Sequence, residues 1–194
     1  LDGGLGDINV NKNILIVSNT CEKITVITHP NNSDFWIIIR LENSNTYHSY
    51  FFTSTGLNLT PVVTNIGPVY NGELGYLKAS PDGTKIAAAN FNADSFEIFD
   101  FDNSTGVLSN VVIGYQDTYG LEFSPNSSIL YVAEYFSHKI IQYDLLAGSN
   151  AAILSSGVSI GQSTLGNIGA LQLGPDGKIY LSIVLSGDLA VINN

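Results

Sequence analysis

Residues 76–106 read YLKASPDGTKIAAANFNADSFEIFDFDNSTG, and this stretch decides the fold. It parses as three antiparallel strands in succession. The first ends at Ser80, and Pro81-Asp82-Gly83 makes a tight turn. Proline presets φ at the first turn position, and glycine supplies the positive φ that follows. A second strand starts at Lys85 and a third at Ser95, with Asp102-Asn103-Ser104-Thr105-Gly106 turning the chain after it.

Weaker copies of the unit lie on both sides. Turn prolines stand at 30, 81, 125 and 175, separated by 51, 44 and 50 residues. Four residues before each stand Val26, Leu77, Leu121 and Leu171, and two before stand Thr28, Ala79, Phe123 and Leu173. The intervening Lys78, Glu122 and Gln172 complete a period-2 alternation that Ile27 breaks in the first unit. The expected strands of the first cycle are 23–28, 34–40, 47–53 and 60–65. The second cycle adds 107–113 to the opening stretch. The third has 119–124, 129–134, 139–144 and 151–158. The fourth has 168–174, 178–184 and 189–192, one strand short, and a lead-in strand is expected at 13–18.

A period of roughly 40–50 residues with four short strands per unit is the signature of propeller blades. The central strands support this, since FWIII at 35–39 and LYVA at 130–133 are apolar on both faces. A sheet with one wet face has no use for that, whereas a sheet stacked between two others does. Ala87, Ala88 and Ala89 would let blades approach closely. The expected fold is therefore an all-β propeller of four-stranded antiparallel blades over residues 1–194, with a lead-in at 1–19 and blades at about 20–68, 69–114, 115–162 and 163–194. Four blades close a ring if segment 13–18 supplies the missing strand. The Gly-rich opening instead favours an arc of a larger ring, of about seven blades.

Composition narrows the partners. Seven Lys plus Arg against 17 Asp plus Glu give a net charge of −10, which repels nucleic acid and anionic membrane surfaces. The longest apolar run, 35–39, is far too short to span a bilayer. The single cysteine, Cys21, excludes an internal disulfide framework.

The runs GYLKASPDGTKIAAANF, FEIFDFDNSTGVLSN, YGLEFSPNSSILYVAEY, HKIIQYDLLAGS and IGALQLGPDGKIYLSI resemble the propeller repeats of large secreted or surface proteins of Bacteroidetes, particularly flavobacteria. Those repeats are similar in turn to YVTN-type and lactonase-like seven-bladed propellers. The segment from GLGDINVNKNILIVSNT through FWIII looks like the lead-in of the same propeller, so the resemblance spans nearly the whole chain. It implies an extracytoplasmic location, export of the type IX kind and membership of a longer protein. Such repeats mark a blade and not a chemistry.

Candidate chemistry is sparse. Asp100, Asp102 and Asn103 suit a calcium loop, because carboxylates at alternate positions can converge on a hard cation. The same residues equally serve a hairpin turn. The acids at this turn occur in one unit alone, whereas Thr53-Ser54-Thr55-Gly56 and Leu146-Ala147-Gly148 turn the others. No cofactor is otherwise expected. Glu134 and His138 form the one acid–base pair worth naming, in a connection on the face where propellers bind ligands. Asn43, Asn45, Asn90, Asn92, Asp94, Tyr119, Glu134, Tyr135 and His138 form an Asn- and aromatic-rich rim there, joined by Asn71-Gly72-Glu73. Amides beside aromatics suit sugar hydroxyls and apolar sugar faces, and equally a polar protein surface. The expected function is a non-catalytic binding module for protein or carbohydrate. The alternatives are a lactonase-like hydrolase with a central metal or acid–base site, and a structural spacer.

Overall fold

The structure is a computed structural model, which describes residues 14–71 and 74–193. Residues 1–13, Gly72, Glu73 and Asn194 lie outside it, and with them part of the expected lead-in and of the 71–73 connection. Four antiparallel sheets follow one another in chain order, arranged as propeller blades. Blade 1 holds β1 (Thr20–Thr28), β2 (Phe35–Leu41), β3 (Thr46–Thr53), the two-residue β4 (Gly56–Leu57) and β5 (Val62–Asn65), with β4 and β5 both paired to β3. Blade 2 is β6 (Leu77–Ala79), β7 (Lys85–Asn90), β8 (Ser95–Asp102) and β9 (Val107–Tyr115). Blade 3 is β10 (Thr118–Phe123), β11 (Ile129–Glu134), β12 (Lys139–Asp144) and β13 (Val158–Gln162). Among the described residues blade 4 has three strands, β14 (Ile168–Leu173), β15 (Ile179–Ile183) and β16 (Leu189–Ile192).

Period-2 alternation in two-sided strands places each blade between its neighbours. Leu77, Ile86, Ala88, Phe99 and Phe101 of blade 2 pack on Ile27, Trp36, Ile38 and Tyr47 of blade 1. The opposite face, Ala87, Ala89, Phe96, Ile98 and Val112, packs on Leu121, Phe123, Leu130, Val132 and Tyr143 of blade 3. Tyr131, Ala133 and Ile140 of blade 3 pack in turn on Ile168, Leu171, Ile179 and Leu181 of blade 4. Ala87, Ala88 and Ala89 are all fully buried, so the central strand of blade 2 presents small side chains to both neighbouring blades. At Gly120 a Cβ would lie 2.2 Å from the carbonyl oxygen of Gly169, so glycine there sets how closely blades 3 and 4 approach.

Two expected strands are corrected. Residues 14–18 carry no strand, and the first strand among the described residues runs from Thr20 to Thr28, with a register irregularity between Thr20 and Ile24. The expected strand 151–158 is instead a short helix, α1 (Asn150–Ser155), followed by β13. Ser149 caps it, its Oγ accepting from the Ala152 amide at 3.2 Å, and Ala151 and Ala152 are strong helix formers. Ile153 anchors the helix in the seam between blades 2 and 3.

Candidate functional site

The hairpins β2–β3, β7–β8, β11–β12 and β15–β16 and the links between blades lie at one end of the stack. Each of these four hairpins holds one residue in the left-handed region: Asn43 (φ 52°), Asp94 (φ 45°), His138 (φ 59°) and Leu185 (φ 62°). Asn, Asp and His are the non-glycine residues that tolerate this conformation best. Much of the polar rim is thus turn chemistry. Asp94 closes a 3-10 turn (Phe91–Ala93) by donating its amide to the Phe91 carbonyl at 3.2 Å.

The remaining rim candidates have assigned tasks. Asn45 Nδ2 donates to the Gly67 carbonyl at 2.9 Å, tying the hairpin to the link that leaves blade 1. Asn92 Oδ1 accepts from the Leu74 amide at 3.4 Å. Asn90 is not on the rim; it is buried between blades 1 and 2, where its Oδ1 accepts from Arg40 at 2.8 Å and its Nδ2 donates to Glu97 at 3.1 Å. Glu134 and His138 are not joined. The Nε2 of His138 lies 2.7 Å from Asn167 Oδ1, while Glu134 stands in register with Lys139. Desolvation, reinforced by the nearby Asp117 carboxylate, pushes the Glu134 carboxyl upward.

The carboxylates of the expected calcium loop are engaged separately. Asp100 accepts from Lys85 Nζ at 2.7 Å and from Asn110 Nδ2 at 2.9 Å. Asp102 accepts from the Ser104 hydroxyl at 2.6 Å and its amide at 2.9 Å, closing the turn. The Asn103 carbonyl accepts from the Trp36 indole at 2.8 Å. The Ser104 and Thr105 side chains hold Asp102 at about 2, below its usual 3.8. With its folded value depressed, its contribution to stability is complete above the ordinary value and lost as pH falls through about 2. A carboxyl-carbon NMR titration is expected to give a midpoint near 2 for Asp102, moving back toward 3.8 in Ser104→Ala. A midpoint already at 3.8 in the unmodified chain would contradict this geometry.

What the fold does bring together is aromatic. Phe91 lies 5.2 Å from Tyr135, 5.6 Å from Tyr119 and 5.7 Å from Phe136, ring centre to ring centre. Tyr76 meets Tyr119 edge-on at 5.7 Å. Backbone bonds hold the rings in place: the Tyr76 amide donates to the Tyr119 carbonyl at 3.4 Å, the Phe91 amide to Leu74 at 3.0 Å and the Tyr135 amide to Asp117 at 2.8 Å. Asp117 also accepts from the amides of Phe136 and Ser137 through its carboxylate. Leu74, Tyr76, Phe91, Tyr119 and Tyr135, with Gly169, Ala170, Ser182 and Val184, line a hollow of about 390 Å³ at the junction of blades 2, 3 and 4. Desolvation raises the Tyr119 phenol, which keeps it a neutral donor. Phe136 remains 65% exposed at the edge. Sequence reasoning named Tyr119 and Tyr135 but missed Tyr76, whose position just before an inner strand was the available signal.

Deeper along the inner strands, one side chain from each of three blades converges. Lys78 Nζ donates to Glu122 Oε2 at 2.9 Å and to Gln172 Oε1 at 2.8 Å, while the Leu173 amide donates to Glu122 Oε2 at 3.1 Å. Lys78 also lies 5.6 Å from the Tyr76 ring centre, so this polar cluster adjoins the aromatic hollow. Among the described residues no group of three or more His, Cys, Asp or Glu is placed to hold a metal.

No protein-family model matches the sequence, and no curated protein matches it. Solved structures do. A 6-phosphogluconolactonase-like protein from Bacteroides uniformis, so described only provisionally, superposes with a TM-score of 0.59 at 14% identity, over 87% of this chain and 49% of its own. Hydrazine synthase from Kuenenia stuttgartiensis gives 0.55 at 15% identity, over 87% and 58%. The β-propeller domain of Cps50 (Swd1) from Myceliophteria thermophila gives 0.56 at 8% identity, over 87% and 52%. The chain spans about half the length of these structures. At such identities the likeness speaks for the fold alone, and that fold is a β-propeller.

Proposed function

We propose that this chain is a non-catalytic recognition module of a secreted or surface protein, an arc of a larger ring of about seven blades, which binds a protein or carbohydrate partner in the aromatic hollow. The hollow carries the reading. Converging rings with an exposed edge and few charges bind by stacking and shape. No chemistry on a substrate is required of them.

Two features support the larger ring. Among the described residues, the face that blades 2, 3 and 4 bury against the preceding blade is uncovered on blade 1, where Ile24, Val26 and Phe35 are exposed. At the other end, an apolar groove of about 640 Å³, lined in part by Ile160, Leu181 and Val191, lies beside β16.

The test is a ligand-observed NMR screen of the 194-residue chain against neutral oligosaccharides and aromatic or proline-rich peptides, with δ-gluconolactone hydrolysis followed alongside. Binders are expected to lose affinity by about 2–10-fold in Phe136→Ala, an aromatic contact being worth about 0.5–1.5 kcal/mol. No lactone turnover above the uncatalysed rate is expected. Binding indifferent to Phe136 and Tyr119 variants would remove the hollow from the account and leave a spacer or another surface. Turnover abolished by Glu122→Gln would establish the hydrolase instead.

A further inference from the structure

The repeat itself shows why there is a hollow. Five and six residues before the turn proline, blade 2 has Tyr76 and Gly75, blade 3 has Gly120 and Tyr119, and blade 4 has Ala170 and Gly169. Blades 2 and 3 each place one tyrosine at this end of the inner strand, with a glycine beside it, whereas blade 1 has Thr25 and Ile24 there. Blade 4 places none. In blades 3 and 4 the pair lies within a break in register between the first and second strands, Thr118 to Leu121 and Ile168 to Leu171. Such a bulge re-aims a side chain away from the regular pleat. Tyr119 is thereby carried to the junction where Tyr76, Phe91 and Tyr135 meet it. The matching place on blade 4 has only the Ala170 methyl and the Gly169 backbone, both of which line the hollow.

We propose that this vacant ring position is a subsite for one neutral hexopyranose ring, stacked on Tyr119 where blade 4 lacks an aromatic of its own. The inference rests on the recognition reading above and gives it a ligand class. The lining is chemically suited to a sugar. Its aromatic faces match the C–H face of a pyranose. Its side-chain polar groups are the hydroxyls of Tyr76, Tyr119, Tyr135 and Ser182. The Ser182 oxygen accepts from the Ala170 amide at 2.9 Å, which leaves its own hydrogen available to a ligand oxygen. Among the described lining residues there is no Asp, Glu, His, Lys or Arg, Lys78 beside the hollow is paired with Glu122, and the chain carries a net charge of −10, which favours a neutral occupant over a sugar phosphate. The volume of about 390 Å³ stands near the small end of the usual range for ligand pockets, which suits one or two rings.

The experiment titrates the chain with cellotetraose, mannotetraose and laminaritetraose, and separately with a proline-rich decapeptide, reading saturation-transfer NMR and affinity. At least one tetrasaccharide is expected to bind, with strongest saturation on the C–H protons of a single ring. Tyr119→Ala is expected to weaken it about tenfold or more. Ala170→Tyr, which restores the ring that the repeat omits, is expected to abolish binding, provided that its melting temperature matches that of the unmodified chain. Should Ala170→Tyr not fold, Ser182→Ala is expected to weaken binding several-fold and serves in its place. Saccharide binding unchanged by Tyr119→Ala overturns the subsite. Binding of the peptide alone, sensitive to Tyr119→Ala, overturns the saccharide and keeps recognition at the hollow. Binding of neither overturns both readings.

Discussion

Replacing Arg40 with alanine is expected to destabilise the chain by about 3–5 kcal/mol, as is typical when one partner of a buried ion pair is removed. In a chain of this size that lowers the melting temperature by roughly 6–20 °C. Arg40 is fully buried on β2, facing blade 2. Its Nη1 donates to Asn90 Oδ1 at 2.8 Å and to Glu97 Oε2 at 3.2 Å. Its Nη2 donates to the carbonyls of Ser44 at 2.9 Å and Pro68 at 3.4 Å. The guanidinium lies 5.4 Å and 5.1 Å from the ring centres of Tyr47 and Tyr70. Without it Glu97, also fully buried, is left with the Asn90 amide as its close partner and the nearby Lys23 as the remaining cation.

The pH dependence of that loss has a definite sign. Desolvation pushes the Glu97 carboxyl up and Arg40 opposes it. A carboxyl whose folded value is raised contributes stability that is fully present below its ordinary value, 4.5, and is lost as pH rises through the raised value. Removing Arg40 raises Glu97 further. The gap in melting temperature between Arg40→Ala and the unmodified chain is therefore expected to be wide at pH 7 and narrower at pH 4. The double variant Arg40→Met/Glu97→Leu is expected to recover most of the loss, since an apolar replacement of the whole pair leaves no charge buried. A loss under about 1 kcal/mol at pH 7, or one equal at both pH values, would show that water reaches the pair.

Phe96→Ala is expected to cost about 3–5 kcal/mol, through lost burial and the cavity left behind. Phe96 is fully buried on β8 and fills the seam between blades 2 and 3. Its ring centre is 5.0 Å from that of Tyr143, whose hydroxyl donates to Gln116 Oε1 at 2.6 Å. Gly114 on β9 lies against the ring so closely that a Cβ there would come within 2.1 Å of it. Neighbours packed this tightly on backbone collapse poorly into a void, which places the loss toward the upper part of the range. Urea denaturation of both chains measures it. A loss below about 1.5 kcal/mol, the scale of a tolerated core swap, would mean that the blades slide together to close the gap.

The candidate site was less legible than the fold, for a local reason. Asn43, Asp94 and His138 stood out as polar residues in connections, yet each occupies the left-handed position that its hairpin requires. Turn chemistry and binding chemistry draw on the same residue types. Asn90 looked like a loop amide and is instead a buried partner of Arg40, because it is the last residue of β7 and faces blade 1.

The sequence by itself determined the blade order and most of the strands, though not the lead-in at 13–18 or the segment 151–158. Turn signals such as Pro81-Asp82-Gly83 and two-sided apolar runs are local features, and stacking is what makes two-sided burial useful. It could not separate helix from strand at 150–155, where the Ser149 cap and the seam beneath Ile153 prevail over an ambiguous apolar pattern. Tertiary structure alone decided which polar residues are buried and which aromatics meet. Arg40 and Glu97 are 57 residues apart, and Tyr76, Phe91, Tyr119 and Tyr135 come from separate hairpins and links. Contacts of that separation arise from the stacking of one blade on the next, a relation that no window of sequence contains.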